Sequence, residues 1–286
     1  TGESGTGKEL CAQAIHDVSN RRNGPFVPLN CGAIPRDLLE SEVFGHLKGS
    51  FTGAIADKKG AAAMASGGTL FLDEICEMDL GLQTKLLRFL QTSTIQPVGA
   101  TKPRRVDVRI VCATNRDPLA EVRAGRFRED LYYRLHVVPI HLPPLRERAS
   151  DIMLIAHRML SRFTAEEGKK FSAFGDDVTG IFMTHDWPGN IRQLMNAIRN
   201  VVVLNDGAVV TPEMLPSEIT MASSINRGGN IASLPFEKPQ TRRAAPATNV
   251  SAFIGIPLAT FEREFIEATI EFCDGSIPQA ARLLDV

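Results

Sequence analysis

The chain has 286 residues, 43% hydrophobic and 23% charged, with 32 Lys and Arg set against 33 Asp and Glu for a net charge of −1. This length suits two domains and this composition a soluble globular protein, while the near-neutral balance excludes a global basic field for nucleic acid. No run of about 18 apolar residues would cross a membrane, and the five scattered cysteines lack any zinc-ligand spacing, so they read as reduced thiols of a cytoplasmic protein.

The first nine residues, TGESGTGKE, contain a phosphate-binding loop: Gly2, four residues, then Gly7-Lys8. Glycines allow successive backbone N–H groups to face one point, and a helix N-terminus adds positive potential there. Lys8 supplies the counter-charge for nucleotide phosphates, and Glu9 stands where such loops carry a Ser or Thr for magnesium. The chain opens inside this motif without Met or signal peptide, so it reads as a piece of a longer protein. Leu10, Ala14, Ile15 and Val18 then recur at helical spacing.

Asn23-Gly24-Pro25 breaks that helix, and Phe26 to Cys31 reads as a strand. Asn30 at its carboxyl end either faces a ligand or caps the next helix, Pro35 to Phe44. Residues 45 to 60 form a glycine-rich loop with Phe51 between glycines, presented to a partner or folded back onto the domain. Thr69 to Glu74 is an apolar run ending in two acids, suited to a strand buried on both faces of a parallel sheet, with a simple solvated strand end as the alternative. At its end Asp73 suits Mg²⁺, held through water, and Glu74 suits the polarisation of an attacking water.

Leu80 to Gln91 is an amphipathic helix built on Leu82, Leu86, Leu87 and Leu90. Lys102, Arg104 and Arg105 mark the tip of a solvated loop. Val108 to Ala113 reads as a strand delivering Asn115, either a phosphate or water contact or a strand-end cap. Arg126 to Arg134 reads as a helix; six residues apart on it, Arg128 and Arg134 lie about 9 Å apart along the axis and about 120° around it, so they converge only if the helix ends or bends, and otherwise reach different phosphate oxygens or leave one of them structural. Val137 to Leu142 reads as a last strand, closed by Pro143-Pro144.

Beyond Arg148 three helical stripes follow: Ile152 to Phe163, Val178 to Phe182, and Leu194 to Val202. They make a small all-helical domain. Trp187 to Arg192 opens the third helix, with Asn190 as N-cap and Arg192 near its electropositive end, where an anion from the neighbouring domain or a surface salt bridge would hold it. Four segments result: an α/β domain over 1–144 with a parallel sheet, a helical lid over 145–216, a polar linker over 217–257 and the start of a helix-turn-helix over 258–286.

Together these residues resemble the bacterial enhancer-binding proteins, AAA+ ATPases that activate RNA polymerase carrying sigma-54. GESGTGKE is similar to that family's phosphate loop, Glu9 included; GSFTGA resembles its sigma-contacting GAFTGA loop, with Ser50 in second place; GGTLFLDE and WPGNIR resemble its acidic-strand and second-sensor motifs. DEICEMDLGLQTKLLRFLQ and VCATNRDP resemble a quorum-sensing response-regulator subgroup. The resemblance implies that Gly2, Glu3, Ser4, Gly5, Thr6, Gly7, Lys8, Glu9 and Arg192 bind ATP and that Asp73 takes Mg²⁺. Glu74 would be the base, Asn30 would restrain it, and Asn115 would be the first sensor.

The family also implies that Arg128 and Arg134 reach the ATP of the next subunit in a hexameric ring. Gly49, Ser50, Phe51, Thr52, Gly53 and Ala54 would meet sigma-54, with Phe51 and Thr52 most directly engaged. Enhancer DNA would be bound through the C-terminal domain of the full-length protein, within a two-component response regulator. The alternative is a DNA-binding repressor that uses ATP only to assemble and does not act through sigma-54. In this fold the strand before the phosphate loop is central to the sheet, so the chain as written is expected to fold poorly or aggregate.

Overall fold

The computed structural model describes residues 1–220 and Thr269. In chain order its elements are α1 (Lys8–Asp17), β1 (Phe26–Asn30), α2 (Arg36–Phe44), β2 (Gly45–His46), β3 (Lys58–Lys59), α3 (Ala61–Met64), β4 (Thr69–Asp73), α4 (Leu80–Thr92), β5 (Thr94–Ile95), β6 (Arg104–Arg105) and β7 (Arg109–Cys112). Then come α5 (Pro118–Arg123), α6 (Glu129–Leu135), α7 (Ala149–Glu166), β8 (Ala173–Phe174), α8 (Asp176–Thr184), α9 (Asn190–Leu204) and β9 (Val209–Val210). Apart from Thr269, the helix-turn-helix expectation falls outside the described residues, as does the linker expectation beyond residue 220.

A parallel sheet of order β1-β4-β7 forms the centre, with Asn30 opposite Asp73 in register. Leu70, Phe71 and Leu72 are buried, as a central parallel strand requires. Leu82, Leu86 and Phe89 of α4 join Leu39, Val43 and Phe44 of α2 and Leu131 and Tyr132 of α6 in the main core. A second core belongs to the helical segment: Ile152, Leu160 and Phe163 of α7, Val178 and Phe182 of α8, and Leu194, Ile198 and Val202 of α9, around Trp187.

Four expectations need correction. First, α1 does not bury Leu10 and Val18, which are exposed; its buried stripe is Ala12 and His16. Ala12 packs with Phe71 and Ala113, and the His16 imidazole shares a 2.9 Å hydrogen bond with Thr69 Oγ1. Second, residues 137–142 form no strand. Their recorded partner is Thr1, whose N-terminal ammonium donates to the Ile140 carbonyl at 2.7 Å and whose carbonyl accepts from Leu142 N–H at 2.9 Å. Two bonds about one residue do not make a ladder.

Between β7 and that segment lies a cleft of about 560 Å³, lined also by Cys11, Ala12 and Ile15. Third, Arg104 and Arg105 pair antiparallel with Ile95 and Thr94 rather than sitting in an open tip. Fourth, the helical segment is not all helix, because Ala173–Phe174 and Val209–Val210 pair in parallel beside α8. Two-residue strands are too short to leave an alternating pattern in the sequence. Among the described residues no helix is long and apolar enough to cross a membrane.

Candidate functional site

The site grows from the packing of α1 on β4. His16 meets Thr69, the first residue of β4, and Ala12 meets Phe71. Helix and strand therefore run in opposite directions. Four helical residues rise about 6 Å and two strand residues about 6.6 Å, so this packing runs the N-terminus of α1, where Lys8 stands, toward the Asp73 end of β4. The phosphate-type loop and the acidic strand end thus share one edge of the sheet.

The loop is an ordered structure. Thr6 is buried and its hydroxyl donates to the Glu3 carbonyl at 2.8 Å. Lys8 Nζ lies across the loop, donating to the Gly2 and Glu3 carbonyls at 2.9 and 3.1 Å. Gly5 has φ +78°, and a Cβ there would lie 2.3 Å from the Gly189 carbonyl oxygen, so only glycine allows this approach to the helical segment. Arg192 Nη1 donates to Ser4 Oγ at 3.3 Å, and its Cβ is 3.1 Å from that same point over Gly5. Glu9 is exposed on the first turn of α1.

At the strand end, Asp73 Oδ1 accepts the Glu74 N–H at 3.0 Å. Glu74 adopts a left-handed backbone (φ 53°), uncommon outside glycine, Asn and Asp and concentrated at functional sites. Its Oε2 accepts the Asn115 N–H at 3.2 Å, joining the acids to the end of β7. Arg116 bridges Glu77 and Glu121. Glu121 is buried, and hydrogen bonds from Arg126 first, with Arg116 adding to them, hold its carboxyl down at about 2.

Asn30 sits beside the acids but its side chain does not bond Glu74. Asn30 Oδ1 accepts the Gly32 and Ala33 N–H groups at 2.9 and 3.0 Å, closing the turn before α2. It does not cap α2 itself, whose N-cap is Pro35. Arg128 and Arg134 occupy the two ends of α6, since Arg128 is its N-cap and Arg134 lies in its last turn. The Arg128 guanidinium forks onto Asp130 at 2.7 and 3.0 Å, while Arg134 donates to the Leu90 carbonyl at 3.2 Å.

Residues 49–54 close on themselves, with Gly49 N–H donating to the Ala54 carbonyl at 2.8 Å and Ala54 N–H to that of Phe51 at 3.0 Å. Gly49, Phe51, Thr52 and Gly53 are exposed, whereas Ala54 is buried. Phe51 is 37% exposed, its ring edge-on to His46 at 5.0 Å. Both readings of Phe51 are thus partly realised: it leans on the domain and still faces solvent. The base of the loop is pinned to the segment before Gly99 by Leu47 N–H to the Val98 carbonyl and Val98 N–H to that of Gly45. Ser50 packs on Gly99, where a Cβ would lie 2.7 Å from Ser50 Cβ. The Ser50 hydroxyl is buried with no hydrogen-bond partner.

Asn190, read as an N-cap, does not cap α9. Gly189 takes that place, and its N–H is accepted by Gln193 Oε1 at 2.9 Å. Asn190 is fully buried and turns its side chain across to the phosphate-type loop, donating to Ser4 O and Glu3 Oε2. Three further residues escaped the sequence reading. Arg146 and Arg148 bond Glu3 and Thr6, and buried Gln83 of α4 accepts the Arg128 N–H at 2.9 Å while donating to the Met78 and Arg126 carbonyls. The only sequence signal for Gln83 was a polar residue next to the apolar stripe of α4.

The family model described as Sigma-54 interaction domain matches residues 1–141, and the one described as AAA+ ATPase lid domain matches residues 146–230. The chain is 54% identical over 286 residues to Regulatory protein LuxO of Vibrio parahaemolyticus, covering 100% of this chain and 60% of that protein. It is 48% identical over 242 residues to DNA-binding transcriptional regulator NtrC of Rhizobium meliloti, covering 85% of this chain and 48% of that protein. Among solved structures, NtrX from Brucella abortus in complex with ADP superposes with a TM-score of 0.70 at 33% identity, over 100% of this chain and 60% of that one. The ATP complex of the same protein gives a TM-score of 0.69 over 100% of this chain and 59% of that one. The chain thus spans about 60% of the length of the LuxO proteins it matches.

Proposed function

We propose, from the premise that this chain belongs to the sigma-54 interaction domain family of AAA+ regulators, that it is the ATP-hydrolysing, sigma-54-engaging part of a longer transcriptional activator. What supports the reading is the antiparallel packing of α1 on β4, with His16 on Thr69 and Ala12 on Phe71, which runs the start of α1 toward the strand end that carries Asp73 and Glu74, together with Arg192 touching the same loop. In this reading the peptides of residues 2–7 cradle the β- and γ-phosphates, Lys8 and Arg192 offset their charge, and Glu74 orients the attacking water. The N–H of Asn115 on Glu74 would report the state of that carboxylate to the end of β7.

Mg²⁺ takes hard oxygen donors, keeps several waters and is held by one or two carboxylates plus substrate phosphates. Among the described residues no cluster of three or more His, Cys, Asp or Glu side chains could hold a metal alone. Asp73, a carboxylate at the strand end, fits the sparser arrangement, holding the ion through water beside the phosphates. Bound there, Mg²⁺ would neutralise charge on the phosphates.

Arg128 and Arg134, at the two ends of α6, would serve the nucleotide of an adjacent protomer in a hexameric ring, Arg128 first leaving Asp130. The exposed Phe51 and Thr52 would meet sigma-54, and enhancer DNA would be bound by the C-terminal part of a response regulator. The test is an ATPase assay on the parent and on Glu74→Gln, with sigma-54 capture in the presence of a transition-state analogue of ATP. Loss of a positioned general base should lower turnover by about 10²–10⁴-fold. Turnover equal to the parent's would remove Glu74 from the mechanism.

A further inference from the structure

Three consecutive carbonyls of the phosphate-type loop face the helical segment, and each is taken by a donor from it. Asn190 Nδ2 donates to Ser4 O at 3.0 Å, the Ile191 N–H to Gly5 O at 3.0 Å, and Arg148 Nη2 to Thr6 O at 3.0 Å. In a planar trans peptide the carbonyl and the following N–H point in opposite directions. Holding these carbonyls against the helical segment therefore aims the N–H groups of Gly5, Thr6 and Gly7 away from it, as a set.

Asn190 is the centre of this arrangement. It is 0% exposed and adopts a left-handed backbone (φ 51°). Both polar atoms of its side chain cross to other segments: its Oδ1 accepts the Leu145 N–H at 2.7 Å, and its Nδ2 serves both Ser4 O and Glu3 Oε2, the latter at 3.1 Å. Outside it, Arg146 forks onto the Glu3 carboxylate at 2.7 and 2.9 Å, a two-bond geometry stronger than ordinary surface pairs.

We propose that Asn190 is a positioning residue for nucleotide binding: the helical segment acts as the mould that orients the phosphate-binding N–H groups, with Asn190 at its centre and the Glu3–Arg146 pair as its outer fastening. This rests on the nucleotide reading above. It assigns to Asn190, Arg146 and Arg148 a task separate from any contact that Arg192 makes with a phosphate. Hydrogen bonds from Arg146, then Asn190, hold the Glu3 carboxyl down at about 2, so the fastening is charged throughout the neutral range.

The experiment measures equilibrium binding of a fluorescent ATP analogue, KM and kcat for ATP, and the melting temperature, all on the full-length protein. The variants are Asn190→Asp, Arg146→Glu, Glu3→Arg, the Glu3→Arg/Arg146→Glu double variant, and Lys8→Ala. Asn190→Asp keeps the size and the acceptor for Leu145 but removes the amide donor. It loses the bonds to both Ser4 O and Glu3 Oε2 and sets a second carboxylate beside Glu3, so its Kd and KM should rise at least about tenfold, the scale of a net hydrogen bond involving a charged group, with kcat at saturation little changed. Each single charge reversal should weaken binding, and the double variant should recover the part carried by the Glu3–Arg146 pair but not the Asn190–Glu3 bond, since an Arg side chain accepts nothing.

Parent-like affinity in folded Asn190→Asp and Arg146→Glu, with Lys8→Ala unable to bind, would overturn the proposal and leave the nucleotide reading standing. Binding that survives Lys8→Ala would overturn both. If Asn190→Asp does not fold, recovery of affinity by the double charge reversal still decides for the proposal, and failure to recover decides against it.

Discussion

Single side chains set both the reach of this site and its tolerance to change. Gln83 is buried at 0% exposure and spends its whole amide on three backbone groups, two of them in the stretch that leads into α6. Gln83→Leu would leave the Met78 and Arg126 carbonyls and the Arg128 N–H unpaired, at roughly 1–3 kcal/mol for each group stranded. A lower denaturation midpoint, with ATPase activity falling further than the stability loss explains, is the expected outcome. His185 offers a pH test. It is buried, its Nδ1 accepts the Trp187 N–H at 2.9 Å, and burial pushes its pKa below the ordinary 6.5.

A histidine that is neutral when folded binds more protons when unfolded, so its contribution is complete above that ordinary value and is lost as pH falls below it. Melting temperature should therefore drop between pH 7 and 5.5, and His185→Asn should flatten that part of the curve. At this scale the sequence was informative where chemistry alone fixed a residue's neighbours. Asp73 and Glu74 could be read at the end of β4 because an apolar run buried on both faces delivers whatever follows it to one edge. Asn190 was misassigned because Asn before a helix ordinarily caps it, and its side-chain partners lie 45, 186 and 187 positions away in the chain.

Elements were legible in proportion to how much of their hydrogen bonding is local. The stripes of α4, α7 and α9 follow 3.6-residue spacing, and these helices formed where that spacing placed them. Residues 137–142 carry a strand-like composition, yet a strand exists only with a neighbour, and here the neighbour is one residue, Thr1. The same dependence governs the two glycine-rich loops, which rest on each other through Ser50 and Gly99. Gly99 has φ +81°, so Gly99→Ala pays the left-handed penalty of about 1–2 kcal/mol and also drives a methyl into Ser50. The expected result is a lower melting temperature together with weakened sigma-54 capture, measured against Gly67→Ala, whose Cβ would meet nothing within 4 Å and which shares the positive-φ penalty.

On the scale of the whole molecule, the two hydrophobic cores are fastened to each other through the phosphate-type loop. The single Trp of the chain, Trp187, is fully buried in the helical core, its indole N–H donating to the Phe182 carbonyl at 2.8 Å. Its fluorescence therefore reports on that core alone. Trp187→Ala should cost about 3–5 kcal/mol by opening a large cavity, read as a shifted denaturant midpoint by circular dichroism. The α/β part carries its own liability, because Val137 and Val138 are 74% and 78% exposed beside the cleft next to β7. Apolar surface next to an open strand edge favours self-association. The apparent mass of the chain from light scattering should rise with concentration, and a constant monomer mass would count against this.

The hydroxyl of Ser50 gives the docked loop a built-in reluctance. Sealed from water with nothing to bond, it makes the resting posture dearer than an alanine would, while solvent would satisfy it at once if the loop swung outward. A serine here thus works as a spring under light compression, and Ser50→Ala should relax it, leaving a loop slower to rise and a weaker grip on sigma-54 at equal ATP turnover.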